Sequence, residues 1–144
     1  MIVRPVTRNS PELTSLWSSA IAEATKKRGG PELLHTISGD VTPDRLLEHL
    51  IDNHCLWSAN DQESIIGFAL LRNRIIETLY VDRHHRRQGV ARRMLQELRE
   101  SPEPPLDAYA LPGDRAMKSI YESIGWKARL LTMRGARADG APHE

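Results

Sequence analysis

Ile75-Ile76-Glu77-Thr78-Leu79-Tyr80-Val81 runs directly into Asp82-Arg83-His84-His85 and then into Arg86-Arg87-Gln88-Gly89-Val90-Ala91-Arg92-Arg93. The first seven residues are apolar and rich in β-formers, which predicts a strand. Val90, Met94, Leu95 and Leu98 recur at helical spacing, which predicts a helix that must stop before Pro102, Pro104 and Pro105. Across the loop between them and the helix start, Arg83, Arg86, Arg87, Arg92 and Arg93 crowd one short stretch with no acid among them. A helix N-terminus leaves amide N–H groups unpaired and carries partial positive charge, so this order of elements suits a phosphate. One exposed helix dipole contributes only about 0.3 to 1 kcal/mol, so several amides and arginines must act together to hold a pyrophosphate. Gly89 lets the backbone approach such a ligand, and Ala91 keeps the first helical turn uncrowded. Neither GxxxxGK[ST] nor GxGxxG occurs, which removes the two commonest nucleotide loops.

Upstream, Cys55 to Ala59 and Ile65 to Leu71 are further short apolar stretches, separated from each other and from Ile75 to Val81 by polar turns; together they predict a three-stranded antiparallel meander. Ile2 to Val6 is another short apolar stretch. Ser10-Pro11-Glu12 starts a helix whose inward face carries Leu13, Leu16, Trp17, Ala20, Ile21 and Ala24, and Gly29-Gly30-Pro31 ends it. Thr42-Pro43-Asp44 opens a second helix that closes near Asn53. Downstream, Leu106 to Leu111 is a candidate strand, Asp114 caps a helix carrying Met117, Ile120, Tyr121 and Ile124, and Lys127 to Met133 is a last candidate strand. The expected fold is α+β: one mixed, mostly antiparallel sheet flanked by about four helices.

A chain of 144 residues that is 40% hydrophobic and 27% charged fits a single domain. The reading places that domain at residues 1–134, with residues 135–144 a small, polar, flexible tail. No apolar run has the roughly 18 residues of a membrane span, and the N-terminus lacks a signal-peptide pattern, so the expected location is cytoplasmic with no membrane partner. The single cysteine, Cys55, has no zinc-spaced partner and reads as a packing residue; no metal is assigned.

Arg86-Arg87-Gln88-Gly89-Val90-Ala91 resembles the [QR]xxGx[GA] motif of the GNAT acyltransferases. The resemblance extends to Leu79-Tyr80-Val81-Asp82 before it and to Tyr121-Glu122-Ser123-Ile124-Gly125-Trp126, which is similar to that family's YExxG[FW]. It covers Ile65 to Met133 well and Met1 to His54 only in element order. It implies a GNAT-like fold with a splayed central strand pair, acetyl-CoA as acyl donor, and transfer of its acetyl group to a primary amine by direct attack in a ternary complex. The amine would belong to a small molecule or a peptide. Leu79, Tyr80 and Val81 would line the pantetheine arm. The pyrophosphate would lie on the amides from Arg87 through Gln88, Gly89 and Val90 to Ala91, with Arg86 and Arg92 adding charge.

Tyr121 resembles the residue that protonates the departing thiolate, although periodicity alone makes it a packing residue beside Met117, Ile120 and Ile124. Glu77 is the candidate base for the incoming amine; a polar residue in so apolar a run also fits solvent exposure or pairing with an arginine. One position departs from the family: where asparagine is common, this chain has Asp114, whose carboxylate would repel a pyrophosphate and whose plain reading is a helix cap. That departure keeps open a second function, an acyl-CoA-binding module without turnover. Nucleic-acid binding by the arginine cluster ranks last, because those arginines occupy the phosphate loop and the net charge is only +1. His84 and His85 read as solvent-facing, and Trp17, Trp57 and Trp126 as core. Relatives often form homodimers, but nothing in this sequence specifies an interface.

Overall fold

The computed structural model describes residues 1–135. Its strands are β1 (Ile2–Pro5), β2 (Leu56–Asp61), β3 (Ser64–Arg72), β4 (Ile75–Val81) and β5 (Asp107–Ala108), in the spatial order β1-β2-β3-β4-β5. The first four pair antiparallel and β5 joins β4 in parallel, giving one open mixed sheet. The helices are α1 (Pro11–Thr25), α2 (Gly30–Ser38), α3 (Pro43–Asp52), α4 (Val90–Arg99) and α5 (Arg115–Ser123).

The two faces of the sheet carry separate cores. Phe68 and Leu70 of β3 point toward α1, α2 and α3, where Trp17 stacks obliquely on Phe68 at 5.5 Å and Leu13, Ile37, Leu46 and Leu50 close the layer. Ala69 of β3 and Ile76, Leu79 and Val81 of β4 pack on the other face against Val90, Met94, Leu95 and Leu98 of α4 and Tyr121 of α5. Alternating side-chain direction along β3 and β4 produces this division, and it leaves β3 buried on both sides. Each fully buried leucine or phenylalanine contributes about 1.5 to 3 kcal/mol relative to exposure.

The sequence reading needs three corrections. An additional helix, α2, follows α1. Gly29, at φ 81, turns the chain, and Gly30-Pro31 then opens the new helix, so the residues read as a stop are both a stop and a start. Gly30 is required by contact: a Cβ there would lie 1.6 Å from the carbonyl oxygen of Ala24. The strand expected over Leu106 to Leu111 shortens to Asp107–Ala108, because the chain leaves β4 after Ala108. Lys127 to Met133 forms no strand. Arg129 reaches Asp107 of β5 at 3.1 Å, but β5 is too short to offer this segment a ladder, and Leu130 and Met133 are exposed. The tail expected from residue 135 lies, from 136 onward, outside the described residues.

Candidate active site

Residue 77 is where the sheet opens. Leu70 pairs with Thr78 but Leu71 pairs with Ile76, so Glu77 is an extra residue, a bulge in β4. Below it, β4 holds β5 through Ile75 and Ile76, and the last bond runs from the Tyr109 amide to the Ile76 carbonyl at 2.9 Å. Above it, β5 has gone. The amide of Asp82 donates to the carbonyl of Ile66 on β3, so by alternation the backbone groups of Thr78 and Tyr80 also face β3, and those of Leu79 and Val81 face the gap.

A cavity of about 650 Å³ fills this gap, and every site residue named from the sequence lines it except Gln88. The loop above it is shaped by two left-handed residues, Arg87 at φ 62 and Gly89 at φ 80. Gly89 precedes α4 with no side-chain cap, so the first amides of that helix are left to the cavity, and nothing lies within 4 Å of the position a Cβ on Gly89 would take. Backbone amides turned together in this way make an anion-binding concavity. Arg87 and Arg92 line it and are unpaired among the described residues. Arg86 is differently engaged: its Nε donates to the Val81 carbonyl at 3.0 Å, its Nη2 to Glu23 Oε2 at 2.7 Å, and its guanidinium lies 5.3 Å from the centre of the Tyr80 ring. The Tyr80 hydroxyl donates to the same Glu23 oxygen. Burial first, then that hydrogen bond, push the Tyr80 phenol up to about 12. The Arg86 hydrogen bond is the main reason the Glu23 carboxyl lies below its ordinary value.

Tyr121 is 6% exposed, its ring stacked on Trp126 with centroids 5.6 Å apart and planes 11° from parallel. Its hydroxyl has no hydrogen-bond partner among the described residues. Burial, with a smaller contribution from the Asp114 charge, pushes its phenol well above the ordinary value. Glu77 is 5% exposed and pairs with an arginine: Arg72 donates Nε to Oε1 at 2.6 Å and Nη2 to Oε2 at 3.0 Å. Asp114 is the cap of α5, accepting from the Met117 amide at 3.1 Å, and its second oxygen takes Lys27 Nζ at 3.2 Å. Lysine 27 thus neutralises the carboxylate that stands at the unusual position.

The sequence reading did not bring α1 to the site. Ala20, Glu23, Ala24 and Lys27 form a stripe at three- and four-residue steps along α1 and its C-terminal turn, and all four line the cavity. The stripe overlaps the edge of the apolar face at Ala20 and Ala24, and these two alanines are the only signal in the sequence that something passes close by. His85 also lines the cavity, its Nδ1 2.9 Å from Asp82 Oδ2, whereas none of the tryptophans does. Among the described residues no three His, Cys, Asp or Glu side chains could hold a metal ion, and no helix is long and apolar enough to cross a membrane.

Comparison with known proteins agrees with this architecture. An aminoglycoside acetyltransferase from an uncultured soil metagenomic sample, solved with sisomicin, superposes with a TM-score of 0.60 at 14% identity, covering 95% of each chain. A ribosomal-protein-alanine N-acetyltransferase from Brucella melitensis biovar Abortus 2308 gives 0.60 at 21% identity, covering 94% of this chain and 98% of that one. AAC(6')-Iy, solved with the bisubstrate analog CoA-S-monomethyl-acetylneamine, gives 0.50 at 17% identity over 74% of this chain and 88% of its own. At these identities the likeness is one of fold. No curated protein matches the chain in sequence. Residues 19–137 match the profile of the acetyltransferase (GNAT) domain, a span that holds β2 to β5, the phosphate-loop motif and Tyr121 alike, and the chain therefore belongs to the GNAT acetyltransferase family.

Proposed function

We propose that this chain moves an acetyl group from acetyl-CoA to a primary amine by direct attack in a ternary complex. The observation that carries the reading is the one cavity that joins the uncapped start of α4 to Tyr121 through the gap beside Leu79 and Val81. The pyrophosphate fits the amides from Arg87 to Ala91, with Arg92 supplying charge and Arg86 available once it leaves Glu23. The pantetheine arm fits along the gap, where its amides pair with the backbone of Leu79 and Val81 as an added strand would.

The acceptor's nitrogen lone pair attacks the thioester carbonyl carbon, the C–S bond breaks, and the thiolate takes the proton of Tyr121. A phenol is protonated throughout the neutral range, and the burial that raises it disfavours a bare thiolate beside it in the same way, so the proton passes as the thiolate forms. The proton shed by nitrogen passes through water to Glu77, whose carboxylate oxygens each retain a lone pair beyond those that Arg72 occupies. A lysine-type amine, with pKa about 10.4, must first give up a proton against about 4 to 5 kcal/mol at neutral pH, while an α-amino group near 7.7 needs under about 1.5. Structures with this fold include enzymes named for aminoglycosides and for a ribosomal-protein alanine, so small-molecule and protein acceptors both belong in the screen.

Acetyl-CoA binding by calorimetry, followed by thiol release with a panel of peptides, polyamines, amino acids and aminoglycosides, tests the reading. Release of CoA with any of them supports transfer. Tight binding with no release from the whole panel would leave an acyl-CoA-binding module.

A further inference from the structure

Three carboxylates line the cavity: Glu23, Glu77 and Asp114. Two of them have a donor on each oxygen, Glu77 from the guanidinium of Arg72 and Asp114 from the Met117 amide and Lys27. Glu23 differs. Tyr80 and Arg86 both donate to its Oε2, and Oε1 has no donor among the described residues. Two donors from two different elements, β4 and the basic loop, therefore fix this side chain and leave one charged oxygen without a donor on a residue that lines the cavity. The Arg86 hydrogen bond keeps the group ionised at neutral pH.

The position of Glu23 in the fold separates it from the phosphate loop. Glu23 stands on α1, on the face of the sheet opposite α4 and α5, and the gap between β4 and β5 opens the cavity to both faces. On its side the wall holds Ala20, Ala24 and Leu33, apolar side chains that fit an alkyl chain, and Lys27, whose ammonium is taken by Asp114. An anionic oxygen above an apolar wall matches an alkylammonium, and an acceptor bearing its own carboxylate would be repelled there.

Resting on the acetyltransfer reading above, we infer that Glu23 Oε1 is the acceptor-recognition site of this protein and selects a cationic alkylamine, holding its ammonium by a charge-assisted hydrogen bond. Arg86 links the two halves of the site. When it turns to a phosphate, Glu23 loses a cationic partner and gains the capacity to hold a second one.

The test uses the full chain saturated with CoA, which cannot react, and titrates it calorimetrically with butylamine, putrescine and spermidine, with butanol as the neutral control. At least one amine binds and butanol does not. Glu23→Gln keeps an oxygen for Tyr80 and Arg86 but presents an amide to the cavity, so it weakens amine binding by about tenfold or more while CoA affinity stays within about twofold. Glu23→Asp, which keeps the charge, retains more amine binding than Glu23→Gln. Failure of all three amines to bind, or equal binding by wild type and Glu23→Gln, overturns the inference; so does a parallel fall in CoA affinity, which would make Glu23 a support for Arg86 alone. If CoA itself does not bind the wild-type protein, the acetyltransfer reading fails at that first titration, and the amine titrations on the free protein still decide whether Glu23 holds a cation.

Discussion

Arg72 grips Glu77 with two parallel hydrogen bonds of 2.6 and 3.0 Å, and the same Nη2 reaches the Ile37 carbonyl at the end of α2 at 3.1 Å. One guanidinium thus ties the bulge in β4 to the end of α2. Removing it strands a buried carboxylate. Arg72→Leu is expected to cost about 3 to 5 kcal/mol in urea unfolding, and Arg72→Leu combined with Glu77→Leu to recover most of that loss, since the uncompensated charge is then gone.

Tyr121→Phe separates acid catalysis from packing. The ring and its stack on Trp126 remain, so thermal stability and acetyl-CoA affinity are expected to hold, while turnover falls by about 10² to 10⁴. Steady-state kinetics beside a binding titration read the two effects. Unchanged turnover would return Tyr121 to the packing role that its helical face suggests.

At the start of α4, Gly89 sits at φ 80 with open space where a side chain would go. Gly89→Ala therefore meets no clash and carries only the left-handed backbone cost of about 1 to 2 kcal/mol, visible as a lowered unfolding midpoint. Gly89→Glu adds to that a charged side chain in the phosphate concavity and is expected to abolish acetyl-CoA binding. Normal binding by Gly89→Glu would move the cofactor elsewhere.

Alkaline pH is expected to destabilise the fold through Tyr80. Its phenol rises from the ordinary 10 to about 12 in the folded chain, so above pH 10 the unfolded chain releases a proton that the folded chain keeps. The stabilisation is complete below the unfolded value and is lost as pH climbs from about 10 toward 12. Tyr121, raised as well, adds to the same loss, so Tyr80→Phe should reduce the slope of that part of the stability profile without removing it, as chemical unfolding at a series of pH values would show.

Gly30→Ala tests the junction of α1 and α2, since its Cβ would fall 1.6 Å from the Ala24 carbonyl oxygen. Backbone must move to admit it, and a loss of at least about 1 to 3 kcal/mol is expected.

The segment from Ile75 to Arg93 was legible because its signals are local: a β-rich run, a glycine free to turn left-handed, and an apolar stripe beginning one residue later. The helix over Gly30–Ser38 was not, since Gly-Gly-Pro ends one helix and begins another with the same three residues, and only the contact of Gly30 with Ala24 shows why. The strand expected at Lys127 to Met133 has the composition of one, but pairing depends on a neighbouring edge, and β5 provides only Asp107 and Ala108. The pairing of Glu77 with an arginine was foreseen as an alternative; that the arginine is Arg72, five residues away across a turn, follows from the β3–β4 register. Asp114 read correctly as a cap, but its partner Lys27 lies 87 residues distant. Glu23 carried no signal at all, because a glutamate on the flank of an amphipathic helix looks the same whether it faces water or a cavity.

The short parallel pairing of β4 with β5 also has a kinetic meaning. The antiparallel strands β2, β3 and β4 follow one another through tight turns, so their contacts close small loops and can form early. Joining Arg74 to Leu106 closes a far longer loop, with α4 inside it, and is held by few bonds. With only two paired residues on each strand, this is the pairing with the least to hold it, so it is the first to open. Amides of Leu106 and Tyr109 should accordingly exchange with solvent by a local opening well below the energy of global unfolding, while those of β3 stay protected. In each such event the cavity disappears and the meander survives, so the protein samples a folded but siteless state from which a ligand that bridges the gap would withdraw it.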